Sequence, residues 1–272
     1  VISNSYGCLS TAFAATATVY TRPLIITQNI QTCSGTAFNV PLSNGGGNIL
    51  PSNTTFTWTV ALNNNVSGAT DVNAPATSIS QTLTNNTNTD QLVVYTVTPT
   101  SGATGNCVGL PFTVNVTVKP KPFVTQQSES ICSGNNFTNA PTNGNGNIIP
   151  TGTTYTWTNP VSNPLGAITG GSAQASAQTQ VRQLLTNGTN APGTLTYTVT
   201  PSANSCAGSS YQLIVNVNPK PAITNMTTTI CSSETFTVSP VNITNGIYSY
   251  SIEVLDFKNK PFIYTGTVNL IR

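Results

Sequence analysis

The stretch Thr-Thr-Phe-Thr-Trp-Thr at residues 54–59 returns 99 residues later as Thr-Thr-Tyr-Thr-Trp-Thr at 153–158. In both copies large apolar side chains alternate with threonine, which is the period of a β-strand that buries one face. Because their neighbours alternate in this way, we expect Trp58 and Trp157 to lie in the core of two separate domains. The stretch therefore predicts strands, and its return at a fixed distance predicts a repeated module.

The cysteines follow the same period and define the modules. They form two series that each advance by 99 residues: Cys8, Cys107, Cys206 and Cys33, Cys132, Cys231. We interpret 1–22 as the last strand of a preceding repeat and 23–121 and 122–220 as complete repeats. Residues 221–272 are interpreted as the start of a further repeat that is divergent or truncated, because this segment lacks a tryptophan.

Alternating strands account for most of each module. Apolar residues alternate with polar ones through 112–118 and again through 211–217, and no window shows the spacing of an amphipathic helix. About seven short strands separated by Gly, Asn and Pro clusters are typical of an immunoglobulin-like sandwich. Asn-Gly and Gly-rich segments near 44–47 and 144–146 are interpreted as turns. Two further strands are predicted at 247–254 and 262–270.

The junctions between the modules are rich in proline. Lys-Pro-Lys-Pro at 119–122 and Asn-Pro-Lys-Pro at 218–221 each lead from a last strand directly into the next module. Proline stiffens an extended backbone and lacks a donor, so these junctions predict short, semi-rigid spacers. The fold expected from the sequence is thus all-β: tandem immunoglobulin-like sandwiches arranged as a rod.

Composition excludes several classes of function. The chain has eight Lys and Arg, six Asp and Glu, no histidine and a net charge of +2, which is too small and dispersed for a nucleic-acid interface. No apolar stretch approaches the length of a membrane span, so no membrane insertion is expected. The carboxylates do not recur at the repeat period: Asp71, Asp90, Glu129, Glu234, Glu253 and Asp256. We therefore predict no catalytic residues, no metal site and no cofactor.

Regularly spaced cysteines in a chain without histidine favour disulfides over metal ligands. Three pairing schemes fit the spacing. The first pairs cysteines within a module, as Cys33–Cys107 and Cys132–Cys206. The second pairs them across a junction: Cys8–Cys33, Cys107–Cys132 and Cys206–Cys231. The third is Cys33–Cys206, which joins the first turn of one module to the late hairpin of the next; a bridge between neighbouring modules is slightly favoured.

The ordered blocks of the second module also carry a family resemblance. They are Ile-Cys-Ser-Gly at 131–134, Gly-Thr-Thr-Tyr-Thr-Trp-Thr at 152–158, Leu-Thr-Asn at 185–187, Tyr-Thr-Val-Thr-Pro at 197–201 and Val-Asn-Pro-Lys-Pro at 217–221. This pattern resembles the PKD-like repeats of large Bacteroidetes cell-surface adhesins, which include gliding-motility adhesins exported by the type IX secretion system. The resemblance implies an immunoglobulin-like fold and an extracellular location on a bacterial cell surface.

Two functions are consistent with these observations. The first is a structural stalk that holds a distal adhesive region away from the cell, with neighbouring repeats as its partners. The second is direct adhesion, in which many repeats bind glycans or surfaces weakly and together. Loops 61–76 and 159–176 differ in sequence and contain no aromatic residue, which favours the stalk.

Overall fold

The computed structural model describes residues 4–102, 105–220, 246–255 and 260–270. The chain divides into two compact units, Val1–Lys121 and Pro122–Arg272, and each is described by itself. All regular structure in the described residues is β-strand, as the alternating sequence predicts. Cys231 and the other residues of 221–245 lie outside the described part of the chain.

The first unit is built on a five-stranded sheet in the order β3-β11-β10-β5-β7, with the small pairs β4–β8 and β6–β9 beside it. The outer strand β3 runs parallel to β11, and the other neighbours in the sheet are antiparallel. Its strands are β1 (Asn4–Ser5), β2 (Cys8–Leu9), β3 (Gln28–Cys33), β4 (Ala37–Asn39), β5 (Thr55–Val60), β6 (Val66–Ser67), β7 (Val72–Ala76), β8 (Ser80–Thr82), β9 (Thr84–Asn85), β10 (Gln91–Thr100) and β11 (Phe112–Lys119).

The second unit repeats this arrangement. Its main sheet has the order β12-β21-β19-β14-β17, with β15 and β20 also paired to β19, and β13, β18 and β16 form a second sheet. The predicted strands near the end of the chain are present as the antiparallel pair β22–β23. The strands are β12 (Gln127–Cys132), β13 (Asn135–Asn139), β14 (Thr154–Trp157), β15 (Val161–Asn163), β16 (Ile168–Thr169), β17 (Gln174–Gln178), β18 (Val181–Asn187), β19 (Gly193–Ala203), β20 (Cys206–Ala207), β21 (Tyr211–Asn218), β22 (Gly246–Leu255) and β23 (Pro261–Leu270).

Each unit encloses one hydrophobic core between its main sheet and its small strands. In β11 every second residue is buried, so Val114, Val116 and Val118 face the core while the intervening polar residues do not. Phe38 of β4 and Leu83, which lies between β8 and β9, belong to the same cluster, which places the small strands over the opposite side of the core. Burial of each such side chain contributes roughly 1.5–3 kcal/mol. The two-residue period of the sequence therefore marks the buried face correctly.

The structure differs from the sequence-based interpretation in residues 10–22, which form no strand. A strand needs a neighbour that satisfies its backbone groups, and no described residue pairs with this segment in a ladder. Its last residues instead contact the loop before β11: the Arg22 Nε donates to the Val108 carbonyl at 2.5 Å. These residues are thus held by such contacts and not by a strand ladder, and the assignment of 1–22 to a preceding repeat stays a prediction.

Candidate functional site: two recurring cysteine positions

The late hairpin of each repeat carries a cysteine in the same register. In the second unit Ala203 of β19 faces Cys206 of β20. In the first unit the Ser101 amide donates to the Cys107 carbonyl at 3.0 Å, which is the same pairing around a longer loop. At the start of the chain Ser5 faces Cys8 in the β1–β2 hairpin. The hairpin position is therefore built three times.

The turns of these hairpins explain their shape. Tyr6 and Gly7 have φ values of 53° and 79°, and Asn204 and Ser205 have φ values of 50° and 68°. Two successive residues with positive φ produce the turn whose twist matches that of paired strands. The side chain that follows the turn is a cysteine in both cases, so the backbone presents Cys8 and Cys206 alike.

The second recurring position lies at the end of the first strand of each main sheet. Cys33 ends β3 and is the register partner of Lys119, while Cys132 ends β12 and is the register partner of Asn218. The next residue bonds back to the same partner in each unit: the Ser34 amide donates to the Lys119 carbonyl at 2.9 Å, and the Ser133 amide to the Asn218 carbonyl at 2.8 Å. Within its own unit, each cysteine thus lies beside the end of the last strand.

A buried asparagine holds the turn after the first-strand cysteine. In the second unit the Asn187 amide donates to the Ser133 Oγ at 2.9 Å, and the Asn187 Nδ2 donates to the carbonyls of Val217 at 2.7 Å and Ala191 at 2.8 Å. In the first unit Asn85 makes the matching bonds to the Ser34 Oγ at 2.9 Å and to the Val118 carbonyl at 2.8 Å. The Leu-Thr-Asn block of the sequence therefore marks an anchor that fastens this turn to the last strand.

A glycine positions the hairpin in each unit. The amide of Gly208 donates to the Pro201 carbonyl at 2.8 Å, and that of Gly109 to the Pro99 carbonyl at 2.8 Å. A Cβ atom at Gly208 would collide with the carbonyl of Pro122, the proline that opens the unit. The hairpin therefore packs against the entry of its own unit. The first-strand cysteine lies beside the end of the last strand, whereas the hairpin cysteine precedes the start of that strand, so the two lie at opposite ends of a unit.

The oxidation states of the cysteines decide among the three pairing schemes. Cys33 and Cys206 are disulfide-bonded, whereas Cys8, Cys107 and Cys132 are free thiols. The within-module pairs Cys33–Cys107 and Cys132–Cys206 are therefore wrong, as are the junction pairs that involve a free thiol. Each sulfur in a disulfide bonds one other sulfur, and Cys8, Cys107 and Cys132 are free thiols. The two bonded cysteines therefore agree with the third scheme, Cys33–Cys206. The expected presence of a disulfide is confirmed.

The two tryptophans are buried and belong to repeated polar networks. Trp58 and Trp157 are 5% and 6% exposed. The Trp157 Nε1 donates to the Ser172 carbonyl at 2.9 Å, and the Gln183 Nε2 donates to the same carbonyl at 2.9 Å. The Tyr197 Oη in turn donates to the Gln183 Oε1 at 2.8 Å. These bonds satisfy polar groups that would otherwise be costly inside the core.

The first unit repeats this network with Trp58, Thr70, Gln81 and Tyr95. Burial raises the pKa of Tyr95 and of Tyr197 well above its ordinary value, because a buried phenolate would lose its hydration. Both tryptophans therefore act as core residues whose indole N–H has a fixed partner.

The carboxylates of the described residues serve local structure where they make contacts. The Asp71 Oδ1 accepts from the Val60 amide at 2.8 Å, and the Glu129 Oε1 accepts from the Asn139 Nδ2 at 3.2 Å. Across the described ranges, no group of three or more His, Cys, Asp or Glu residues could hold a metal ion. Glu234 and Asp256 lie outside those ranges.

The first unit also contains an open groove of about 540 Å³. Polar uncharged and apolar residues line it, among them Asn39, Leu42, Thr54, Phe56, Thr77 and Ser78. No titratable side chain lines the groove, so it offers hydrogen bonds and apolar contact but no acid or base. In the part of the chain that the structure describes, no helix is long and apolar enough to cross a membrane.

Comparison with known proteins identifies the modules. The model of the PKD-like domain family matches residues 30–122 and again 129–221, and the chain belongs to this family. It is therefore an all-β protein with two tandem PKD-like domains. No curated protein sequence matches it.

Several solved structures of tandem domains are similar to the chain at low sequence identity. The chain is similar to human CDH23 EC21-23, with 14% identity over 92% of this chain and 91% of that one and a TM-score of 0.33. It is also similar to the chicken CNTN1 FN1-FN3 domains, with 13% identity over 90% of this chain and 85% of that one and a TM-score of 0.27. At these values the similarities support no argument about function.

Proposed function

We propose that the chain is a stalk segment of a large, repetitive bacterial cell-surface adhesin, where it holds a distal adhesive region away from the cell. The observation that carries the proposal is that structural features, and not reactive groups, recur in both units. Both units repeat the asparagine anchor at Asn85 and Asn187, the buried tryptophan network and the hairpin glycine. All of these build the module or fix its ends, and none presents a reactive group to solvent.

The disulfide supports an extracellular location. A disulfide persists in an oxidising compartment, and Cys33 and Cys206 are disulfide-bonded. Charge is scarce, and the Asp71 and Glu129 carboxylates accept hydrogen bonds from a backbone amide and from a side-chain amide of their own unit. Both observations favour a non-catalytic role. The proposed link to gliding motility and type IX secretion depends on the resemblance of the sequence blocks alone.

The stalk proposal is tested by adhesion of the full chain to glycan arrays and to abiotic surfaces. We expect no saturable binding above that of the heat-unfolded chain. In single-molecule pulling, the Cys33–Cys206 disulfide would carry the force past residues 34–205, so it is first reduced. We then expect two separate unfolding events, because each unit has its own core. Saturable glycan binding by the folded chain would overturn the proposal of a pure spacer.

A second candidate function is weak glycan binding at the groove of the first unit, because polar groups and Phe56 line it together. The exposed residue Ser78 offers a way to fill the groove without touching the core. If the groove binds glycans, Ser78→Arg abolishes any binding that the array detects. The matched variant Ser176→Arg, at an exposed strand position in the second unit, retains it. Equal binding by both variants would exclude the groove as the site.

A further inference from the structure

The cysteines that are free occupy the same positions as the cysteines that are bonded. Cys132 ends the first strand of its main sheet beside Asn218, as Cys33 does beside Lys119. Cys107 lies two residues before the hairpin glycine, as Cys206 does. Cys33 and Cys206 are disulfide-bonded, while Cys132 and Cys107 are thiols. Each thiol thus has a bonded counterpart in the other repeat.

A separate contact shows where the partner of Cys107 would lie. The Cys107 Sγ is 3.9 Å from the carbonyl oxygen of Tyr20. Tyr20 precedes Lys119 by one repeat length, and Lys119 is the register partner of Cys33 on the neighbouring strand. The Cys107 thiol therefore lies against Tyr20, the position that corresponds one repeat earlier to Lys119, the register partner of a first-strand cysteine.

We propose that Cys132 and Cys107 each form a disulfide with a neighbouring module, in the same way as Cys33 and Cys206, so that the bonds continue as a disulfide series along an array of modules. Cys132 forms a disulfide with the hairpin cysteine of a further PKD-like module that follows it. Cys107 forms a disulfide with the first-strand cysteine of a module that precedes it. The partner of each thiol is thus another copy of the same module. This inference rests on the proposed function, since a stalk is an array of such modules.

Each bond forms by exchange with a small-molecule disulfide such as glutathione disulfide. One protein thiol, as thiolate, attacks the small disulfide and releases one glutathione. The second protein thiolate then attacks the protein sulfur of the mixed disulfide and releases the other glutathione. Two protein thiols are oxidised, one glutathione disulfide is reduced, and the two protons end on the released thiols.

The test is a full chain that is lengthened by a copy of residues 122–220 inserted after Lys220, oxidised in a glutathione buffer. Peptide mapping of the non-reduced protein should find Cys132 linked to the hairpin cysteine of the inserted copy. Alkylation of Cys132 should fall at least about tenfold relative to the original chain, because structural disulfides resist reduction by glutathione. The Cys33–Cys206 link in the same sample reports that the lengthened chain has folded.

Matched variants make the outcome decisive. With serine in place of the hairpin cysteine of the inserted copy, Cys132 must return to full alkylation. Non-reducing gels separate a partner in the same chain, which migrates as a monomer, from a partner in a second chain, which migrates as a dimer. A Cys132 that stays reactive, or that bonds any other cysteine, in a chain that retains Cys33–Cys206 would overturn the proposal.

The mirror experiment tests Cys107 and does not depend on the first insertion folding. A copy of residues 23–121 is inserted after Arg22, and Cys107 is expected to bond the first-strand cysteine of that copy. A reactive Cys107 in this chain would overturn its half of the series. Glycan binding by the same proteins is scored separately, so failure of the stalk proposal and failure of the disulfide series give different results.

Discussion

At the scale of a single residue, Asn187 gives the Leu-Thr-Asn block its structural role. Its side chain makes bonds to two backbone carbonyls and also accepts from the Thr189 amide at 2.8 Å, while the residue is buried. Removal of such a side chain leaves the Val217 carbonyl buried without its donor. The free energy that this costs is typically about 1–3 kcal/mol.

We therefore expect Asn187→Ala to lower the free energy of unfolding of the second unit by about 1–3 kcal/mol. The measurement is urea unfolding followed by tryptophan fluorescence in a Trp58→Phe background, where Trp157 reports the second unit alone. The exposed Asn136 has no hydrogen bond of its side chain, so Asn136→Ala should change the free energy by less than about 0.5 kcal/mol. Equal effects of the two variants would contradict the role of Asn187 as an anchor.

The disulfide assignment gives a second prediction for single residues. Replacement of Cys33 by serine should leave Cys206 as a thiol, since Cys33 is its partner. Cys206 is 1% exposed, so alkylation is carried out on the unfolded chain before mass spectrometry. Cys132→Ser is the control and should leave Cys206 oxidised, because Cys132 is a free thiol. A Cys206 that remains oxidised in Cys33→Ser would show that it has another partner.

The sequence could not assign these bonds because a fixed spacing is shared by all three schemes. What separates them is register, and register depends on the parallel pairing that sets Cys33 beside Lys119. Alternation of apolar residues tells which face of β3 is buried but not which way its neighbour runs. By contrast, the burial of Trp58 follows from its neighbours alone.

At the scale of the element, turns were more predictable than pairings. The sequence predicts a turn at 144–146, and the structure has a two-residue turn in which Asn145 and Gly146 have φ values of 51° and 85°. The flanking residues Gly144 and Asn147 exchange both backbone bonds, at 3.1 Å and 2.9 Å. Asn-Gly favours this conformation locally, so no distant contact is needed to specify it.

The hairpin of each unit depends on a distant contact instead, and Gly208 tests it. A methyl group at this position meets the Pro122 carbonyl and the Pro201 ring, so Gly208→Ala should force the hairpin outward. We expect the free energy of unfolding of the second unit to fall by about 1–3 kcal/mol, as in other overpacked sites. Urea unfolding reported by Trp157 measures this change.

Gly188 provides the matched control for this substitution. The nearest atom to a Cβ there is the Ala167 carbonyl oxygen at 3.8 Å, an ordinary contact. Gly188→Ala should therefore leave the second unit as stable as before or more stable by up to about 1 kcal/mol, because alanine restricts the unfolded chain. If the two substitutions change the free energy of unfolding of the second unit equally, the hairpin does not approach Pro122 as closely as the structure indicates.

At the scale of the whole molecule, the repeated pattern established the all-β class and the tandem arrangement, and the family match to 30–122 and 129–221 agrees with both. Residues 10–22 form no strand, because no described residue pairs with them in a ladder. The β1–β2 hairpin nevertheless has the register of the late hairpin in the second unit. The hairpin register therefore recurs at the start of the chain, although the residues that follow it have no strand partner among the described residues.

The repeated sequence blocks are alike in most positions, but the two units differ in their buried tyrosines. Among the residues whose burial is described, the buried tyrosine of the first unit is Tyr95, and those of the second are Tyr155, Tyr197 and Tyr211. Burial raises the pKa of each above the ordinary value of 10.0, and the nearby Tyr155 raises that of Tyr211 further. In the first unit, phenylalanine stands at the positions that match Tyr155 and Tyr211, namely Phe56 and Phe112.

The two units should therefore differ in their response to alkali. At about pH 8 and below these phenols are neutral in the folded and unfolded states and add no pH dependence. Above pH 10 the unfolded chain loses protons that the folded chain retains, so the unfolded state is favoured as pH rises towards the folded pKa. We expect the urea midpoint of the second unit to fall more steeply above about pH 10 than that of the first. Trp58→Phe and Trp157→Phe chains report the two units separately.

The double variant Tyr155→Phe and Tyr211→Phe tests the cause, because it gives the second unit the aromatic set of the first. It also removes the bond from the Tyr211 Oη to the Asn139 Oδ1, so its midpoint at about pH 8 is expected to be lower. Its loss of stability between about pH 8 and about pH 10.5 should nevertheless shrink to that of the first unit. Among the residues whose burial is described, Tyr197 is then the one buried phenol of the second unit, as Tyr95 is of the first. An unchanged pH dependence in the double variant would mean that other groups titrate during unfolding.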